Sequence, residues 1–322
     1  MQSLLVKNIE EKILDNWVEY QHLFVEFQSK FLTGLYFRYK GIENGNLALY
    51  YARETHHEIL RKKDYDLDFN LSYEKLWKNH SEINPRQISV IKIATETHLP
   101  KETTRRKILQ LVKQKVLNKK NSNIGWLPNE QYKKNYNLFI NEEITDVTRL
   151  INFVSEKINL SISKEEITKE LKEKFSFYWF HYLSTQLKYF RLWSKQIKDL
   201  ELVLILLQVA NLFISKARKK NLSHKSLYDN PNLFKEFMSA SISATSISEV
   251  TTIPRATCVR KLEFLLKLKI VSQDKMSKRY YIIPEAISAD LILQKQTKQV
   301  VKLFSNFFFI FVREITLKLD TN

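Results

Sequence analysis

The chain has 322 residues, enough for two ordinary domains with real cores, and its 44% apolar content excludes wholesale disorder. Its four glycines, Gly34, Gly41, Gly45 and Gly125, form neither a G-x-G-x-x-G nor a Walker-type run, which disfavours α/β folds with glycine-rich phosphate loops. The net charge of +17 points to a polyanion, nucleic acid or an anionic surface, and the single cysteine, Cys258, excludes an internal disulfide or thiolate metal site and fits a reducing cytoplasm.

In chain order, the run MQSLLVKNIEEKILDNW carries early acidic residues and no apolar signal-peptide core. Aromatic-rich helices are expected over roughly 5–40, then a helix at roughly 47–63 and a polar stretch. From Ile88 to Leu99, apolar Ile88, Val90, Ile91, Ile93 and Ala94 include a helical spacing, broken at Thr97-His98-Leu99. Pro100 then opens a second helix, where its missing N–H costs nothing. That helix is expected to bury Thr104, Ile108, Leu111, Val112 and the stem of Lys115, and to present Lys101, Thr103, Arg105, Arg106, Gln110 and Lys113. The pair Val116-Leu117, the basic stretch NKKNSN and the run IGWLP read as a strand, a tight loop and a returning strand, closed by a helix at 141–158.

The second half follows the same order, with aromatic-rich helices at 162–197 and a very apolar helix at 200–219. Glu201, Gln208 and Asn211 interrupt the stretch from Leu200 to Ile214, which is too short for a bilayer, so a buried helix in a soluble protein is expected. A later helix presents Arg255, Thr257, Val259, Arg260 and Lys267 and buries Cys258, Leu262, Leu265 and Leu266. A polar loop, SQDKMSKR, a run YYIIP and a closing helix at 286–319 follow.

This parallel extends to identities. At an offset of 154, Pro100–Leu117 and Pro254–Val271 align without gaps and share seven of 18 residues, among them Thr103/Thr257, Arg106/Arg260 and Lys107/Lys261. Upstream, Leu47 meets Glu201 at the same offset, and Leu35-Tyr36-Phe37-Arg38 matches Lys188-Tyr189-Phe190-Arg191 at 153. The sequence therefore reads as an internal duplication, 1–158 and 159–322, with related units at about 87–128 and 241–284.

The runs IATETHLPKETTRRKILQLVKQKVL and ISEVTTIPRATCVRKLEFLLKLKIV resemble the helix-turn-helix of bacterial winged-helix transcriptional regulators, the broad MarR-like and IclR-like group. Each match covers about 40 residues, and the flanking helices match no family pattern. The resemblance implies a mainly α fold with two small β-wings. It also implies that the second helix of each unit enters the major groove while the wing reaches flanking phosphates. Residues 101–120 carry +7 and residues 255–279 carry +6 of the net +17, the concentration expected of a nucleic-acid footprint.

The expected function is a sequence-specific regulator contacting two half-sites of double-stranded DNA, cytoplasmic and nucleoid-associated, without cofactor, catalytic site or membrane partner. Arg105, Arg106 and Arg260 are the candidates for base readout, and Thr103 and Thr257 for phosphate or thymine methyl. Lys119, Lys120, Lys275, Lys278 and Arg279 are placed at phosphate. A replication initiator of plasmid type and a helical interaction scaffold are the alternatives. Val259 in place of Arg105 and Ala256 in place of Glu102 make the units unequal. The seven histidines show no metal-ligand spacing, His98 falls in the turn, and Cys258 falls on the inward stripe. The aromatic clusters at 175–180 and 307–309 are expected to pack in the core or in self-association, and a ligand pocket among those helices is an open alternative.

Overall fold

The computed structural model describes residues 2–84, 86–120, 123–126, 128–197, 199–220, 239–283 and 292–320. These residues are mainly helical, with two small antiparallel two-stranded sheets. The first half contains α1 (Gln2–Asp15), α2 (Trp17–Tyr39), α3 (Ile42–Tyr65), α4 (Leu76–Ser81), α5 (Val90–Thr97), α6 (Lys101–Lys113) and α7 (Glu130–Lys157). The hairpin of β1 (Asn118–Lys120) and β2 (Asn123–Gly125) separates α6 from α7. The second half contains α8 (Lys164–Glu173), α9 (Phe175–Ile197), α10 (Leu200–Lys219), α11 (Ala244–Thr251), α12 (Arg255–Lys267) and α13 (Ile292–Asp320). Its hairpin pairs β3 (Val271–Gln273) with β4 (Tyr280–Ile282).

Each aromatic-rich stretch folds as two helices. Asn16 separates α1 from α2, its side-chain amide donating to the Lys12 carbonyl at 2.9 Å, and Lys174 separates α8 from α9 at φ −108°. Helix α7 starts at Glu130 rather than 141, with the Asn129 side chain accepting from the Tyr132 backbone at 2.8 Å. The run NEQYKKNYN looks polar, yet Tyr132 and Tyr136 supply its apolar face by packing on Tyr39, Trp77 and Trp126. The closing helix of the second half runs over Ile292–Asp320, and the part expected at 286–291 lies outside the described residues. Between α2 and α3 the chain turns through Lys40 at φ 56° and Gly41 at φ 137°, the latter a conformation suited to glycine.

The element spacing repeats. Helices α2 and α9 are each 23 residues long and lie 158 positions apart. The pairs α5–α6 and α11–α12 have the same lengths, 8 and 13 residues, and lie 154 positions apart. The change falls within α3 and α10, which end 154 positions apart and start 158 apart, so α3 holds one additional helical turn. The sequence offset of 153 at Leu35–Arg38 differs from the 158 spacing of α2 and α9, and the offset of 154 at Leu47 equals the spacing of the ends of α3 and α10.

That packing runs between halves. Helix α2 lies on α10 and α3 on α9, while α1 lies on α13 and α8 on α7. The Phe24 ring meets Tyr189 at 6.3 Å, and Tyr182 meets Phe31 at 6.0 Å; each of these residues has its counterpart 158 positions away in the other pair. Gln28 donates from Nε2 to Oε1 of Gln186, its own counterpart, at 3.2 Å in the core. These contacts are reciprocal at a spacing of 158 residues. The aromatic clusters are spent here, with Phe175, Tyr178, Trp179, Phe307 and Phe308 all buried. Helix α10 is long and apolar enough to cross a membrane, but in the fold Leu202–Val209 are all buried.

His56 on α3 is completely buried against Trp126 and Phe175, and neither ring nitrogen has a hydrogen-bond partner. Burial, and then the neighbouring His80, push its pKa down to about 3. The folded state therefore holds His56 neutral, while the unfolded chain takes up a proton below about pH 6.5. Stability from this group is fully present above pH 6.5 and is lost progressively as pH falls toward 3. His56→Phe should flatten the fall in Tm between pH 7.5 and pH 4.5, measured by circular dichroism; a slope identical to wild type would exclude His56 as the acid-sensitive group.

Candidate nucleic-acid interface

In each half a short helix, a three-residue turn, a 13-residue helix and a hairpin follow one another. Ser89 caps α5 by accepting from the Lys92 backbone at 3.2 Å, and Ser243 caps α11 by accepting from Ser246 at 3.0 Å. His98 and Thr252 then turn the chain at φ 58° and 60°, and both side chains are exposed. Pro100 and Pro254 precede α6 and α12 directly, and their carbonyls accept the first helical bonds, from Thr104 at 2.8 Å and Cys258 at 3.0 Å.

The inward stripes match the apolar spacing. Thr104, Ile108 and Leu111 are buried on α6, and Cys258, Leu262 and Leu265 on α12, with Val112 and Leu266 partly buried. Cys258 is inaccessible, its thiol donating to the Ile253 carbonyl at 3.5 Å, and burial pushes its pKa up. Lys115 differs from expectation. The α6 helix ends at Lys113, and Lys115 follows at φ 57°, exposed, with Lys269 matching it at φ 54°. A left-handed residue here reverses the chain so that Val116 can bond back to Leu111 at 3.0 Å and Ile270 to Leu265 at 3.1 Å. The stem of Lys115 therefore lies off the buried stripe, and both lysines join the outward cations.

The outward faces also hold their expected members, with one exception. Lys101, Arg105, Arg106, Gln110 and Lys113 are exposed on α6, and Thr103 is half-buried. Arg255, Arg260 and Lys267 are exposed on α12, and Thr257 is half-buried. Val259 is the exception, since it packs partly against the core. A β-branched apolar side chain gains more from that contact than from water.

The hairpins extend these surfaces. Lys119 is exposed opposite Ile124; Lys120 pairs with Asn123 in the register, and the loop residues 121–122 lie outside the described residues. In the second hairpin, Lys275, Lys278 and Arg279 are exposed in a six-residue loop tipped by Met276 at 93% exposure. Asp274 organises this loop by accepting from the Ser277 backbone at 2.6 Å and its hydroxyl at 2.7 Å, bonds that hold its carboxyl below the usual range. Ile242 adds a bridge to Tyr280, so the base of this hairpin is tied to the chain leading into α11. The end of the YYIIP run, Pro284, lies outside the described residues.

Two lysines shared by both sequence segments do a different task. Lys107 on α6 pairs with Glu43 at 3.1 Å and donates to Asn44 at 3.2 Å in the first turn of α3. Lys261 on α12 bonds Asp199 and Glu201 (3.0 Å), which cap and open α10. Burial disfavours the Lys261 charge, but these two carboxylates outweigh it and raise its pKa. From sequence these positions are visible only as identities; the available signal is an acidic residue second in each partner helix, Glu43 and Glu201.

The remaining cations are left for solvent. Among the described residues, Lys101, Arg106, Lys113, Lys119, Arg260, Lys267, Lys275, Lys278 and Arg279 make no salt bridge. Arg105 has only a 3.9 Å approach to Glu102, with both side chains mostly exposed, and Arg255 donates to the Thr245 hydroxyl at 3.1 Å. Searches of protein-family models, curated proteins and solved structures find no match to the chain.

Lys261→Met should lower stability by about 1–3 kcal/mol, because it leaves two partly buried carboxylates unpaired. Urea unfolding checks this. A midpoint within error of wild type would mean that the ion pair contributes nothing to docking α12 on α10.

Proposed function

We propose that the chain is a sequence-specific regulator of transcription that binds double-stranded DNA through two winged helix-turn-helix units in an internally duplicated polypeptide. The observation that carries this reading is the outward array of cations without acidic partners on α6, α12 and the two hairpins. Residues 101–120 and 255–279 hold +13 of the net +17, a sum that includes Lys107 and Lys261, which are paired inward. A concentration of unpaired like charge costs folding energy through self-repulsion and is relieved by a polyanion.

The order of elements also supports it. In helix-turn-helix proteins the second helix enters the major groove with its N-terminal residues at base edges. Here that places Arg105, Arg106 and Arg260 at bases, with Thr103 and Thr257 at phosphate or thymine methyl. Lys113, Lys115, Lys267 and Lys269 lie further along, toward the hairpins, and Lys119, Lys120, Lys275, Lys278 and Arg279 serve flanking phosphates, which position without specifying. The two-fold relation of the halves supplies two such surfaces from one polypeptide, as a homodimer does for two half-sites. In this reading the protein acts in the cytoplasm at the nucleoid, and no chemical step is assigned to it.

Selection from random-sequence duplexes across a salt series tests the proposal. A two-part site should be enriched, with log K falling steeply against log salt. Arg106→Ala should cost about 1–3 kcal/mol and relax preference within one half-site only. Enrichment unchanged by that substitution would remove Arg106 from base readout. An absence of binding at low salt would favour a protein-interaction scaffold, and recovery confined to tandem origin-like repeats would favour a replication initiator.

A further inference from the structure

Below the second hairpin, α2, α9, α10 and α13 line a partly open pocket of about 140 Å³. Trp17, Phe24, Trp193, Leu206, Ala210 and Ile282 are among its walls. Gln21 contributes an amide, Thr297 and Tyr189 hydroxyls, and no charged side chain lines it among the described residues. Trp193 is buried, and its indole N–H has no acceptor at hydrogen-bond geometry; the nearby Tyr189 phenol is pushed up in pKa by burial, which the indole N–H offsets only in part.

The matching place in the other half is solid. Ala210 corresponds to His56 at the 154 spacing of α3 and α10, and Gln21 corresponds to Trp179 at the 158 spacing of α2 and α9. Ile282, at the end of the returning strand, takes the place of Trp126. His56, Trp126 and Trp179 are each no more than 1% exposed, and with Phe175 they stack at ring distances of 4.7 to 6.5 Å. Only about 20 Å³ remains open beside Trp126 and His80. Three large rings on one side thus face alanine, glutamine and isoleucine on the other. A mostly apolar concave pocket with a few polar groups, beside a filled counterpart, points to an occupant.

We propose that this cavity is a binding site for an uncharged, single-ring aromatic molecule with one hydrogen-bond acceptor. Its size sets the class, since apolar cavities of about 150 Å³ accept benzene. The absence of a charged wall disfavours an ionised ligand, which would enter without a counter-charge. The unsatisfied Trp193 N–H selects an acceptor on the ring's substituent.

Acetophenone, ethylbenzene and benzoate serve as probes on the full chain without DNA, so the outcome is independent of the function proposed above. Acetophenone should bind saturably at one site per chain by calorimetry and raise Tm, whereas benzoate should do neither. Trp193→Phe keeps the ring and removes the donor; it should weaken acetophenone about five- to ten-fold and leave ethylbenzene unchanged. Ala210→Phe should abolish binding of both while the protein remains folded. If that variant fails to fold, the Trp193→Phe comparison decides alone. No saturable binding of either neutral probe to wild type would overturn the proposal, as would binding indifferent to both substitutions.

Discussion

The largest helix contacts in this chain run between its halves. The apolar face of α3 is buried by α9, that of α10 by α2, and Gln28 meets Gln186 where the two arrangements cross. A hydrogen bond between two buried amides is directional, and a slip along either helix would leave the Gln28 amide N–H without its acceptor. This junction, with the reciprocal ring contacts of Phe24 with Tyr189 and Phe31 with Tyr182, favours one register of α2 against α9. Because α6 docks on α3 and α12 on α10, the two basic surfaces inherit their placement from the same junction. Separation of the halves would expose the central aromatic rings together, so the chain should behave as one cooperative unit rather than two linked domains.

The cations divide by where their partners lie. Lys107 and Lys261 point back to the first turns of α3 and α10, where they meet acidic groups that also favour those helix N-termini. Their stems are half-buried or buried, so each clamps two helices as well as balancing charge. Among the described residues, the outward cations apart from Arg105 have no such compensation. Pairing the inner lysines internally and leaving the outer ones free keeps the docking insensitive to whatever the outer face meets. The outer face can then change residue by residue without loosening the helix that carries it.

The parts legible in the sequence were those set by local rules. Proline before the helix and the stripe Thr104-Ile108-Leu111 marked α6, and the same devices marked α12. The hairpins were legible as an apolar pair, a polar basic stretch and a returning apolar–aromatic run. What escaped depended on contacts between halves or on backbone geometry. The break at Asn16 leaves no periodicity signal, since apolar residues continue on both sides. Tyr132 and Tyr136 look like exposed polar residues until Trp77 and Trp126 are placed beside them. Lys115 fits the helical period of α6, and only the left-handed turn takes it off that face. Val259 sits at an outward position by spacing, but a shallow contact with the core was not visible from the period alone.

The halves share a frame without sharing surfaces. The first hairpin closes over two residues and the second over six, Arg105 is matched by Val259, and the His56–Trp126–Trp179 cluster is matched by an open cavity. In a homodimer every substitution appears twice, so opening a cavity or withdrawing an arginine would change both sites together. Within one chain each change falls on a single side, and its cost is borne once. Helix α3 keeps His56 and solid packing under the first unit, while α10 carries Ala210 and the void under the second. Covalent linkage thus allows one unit to stay rigidly supported while the packing beneath the other is free to take up an occupant.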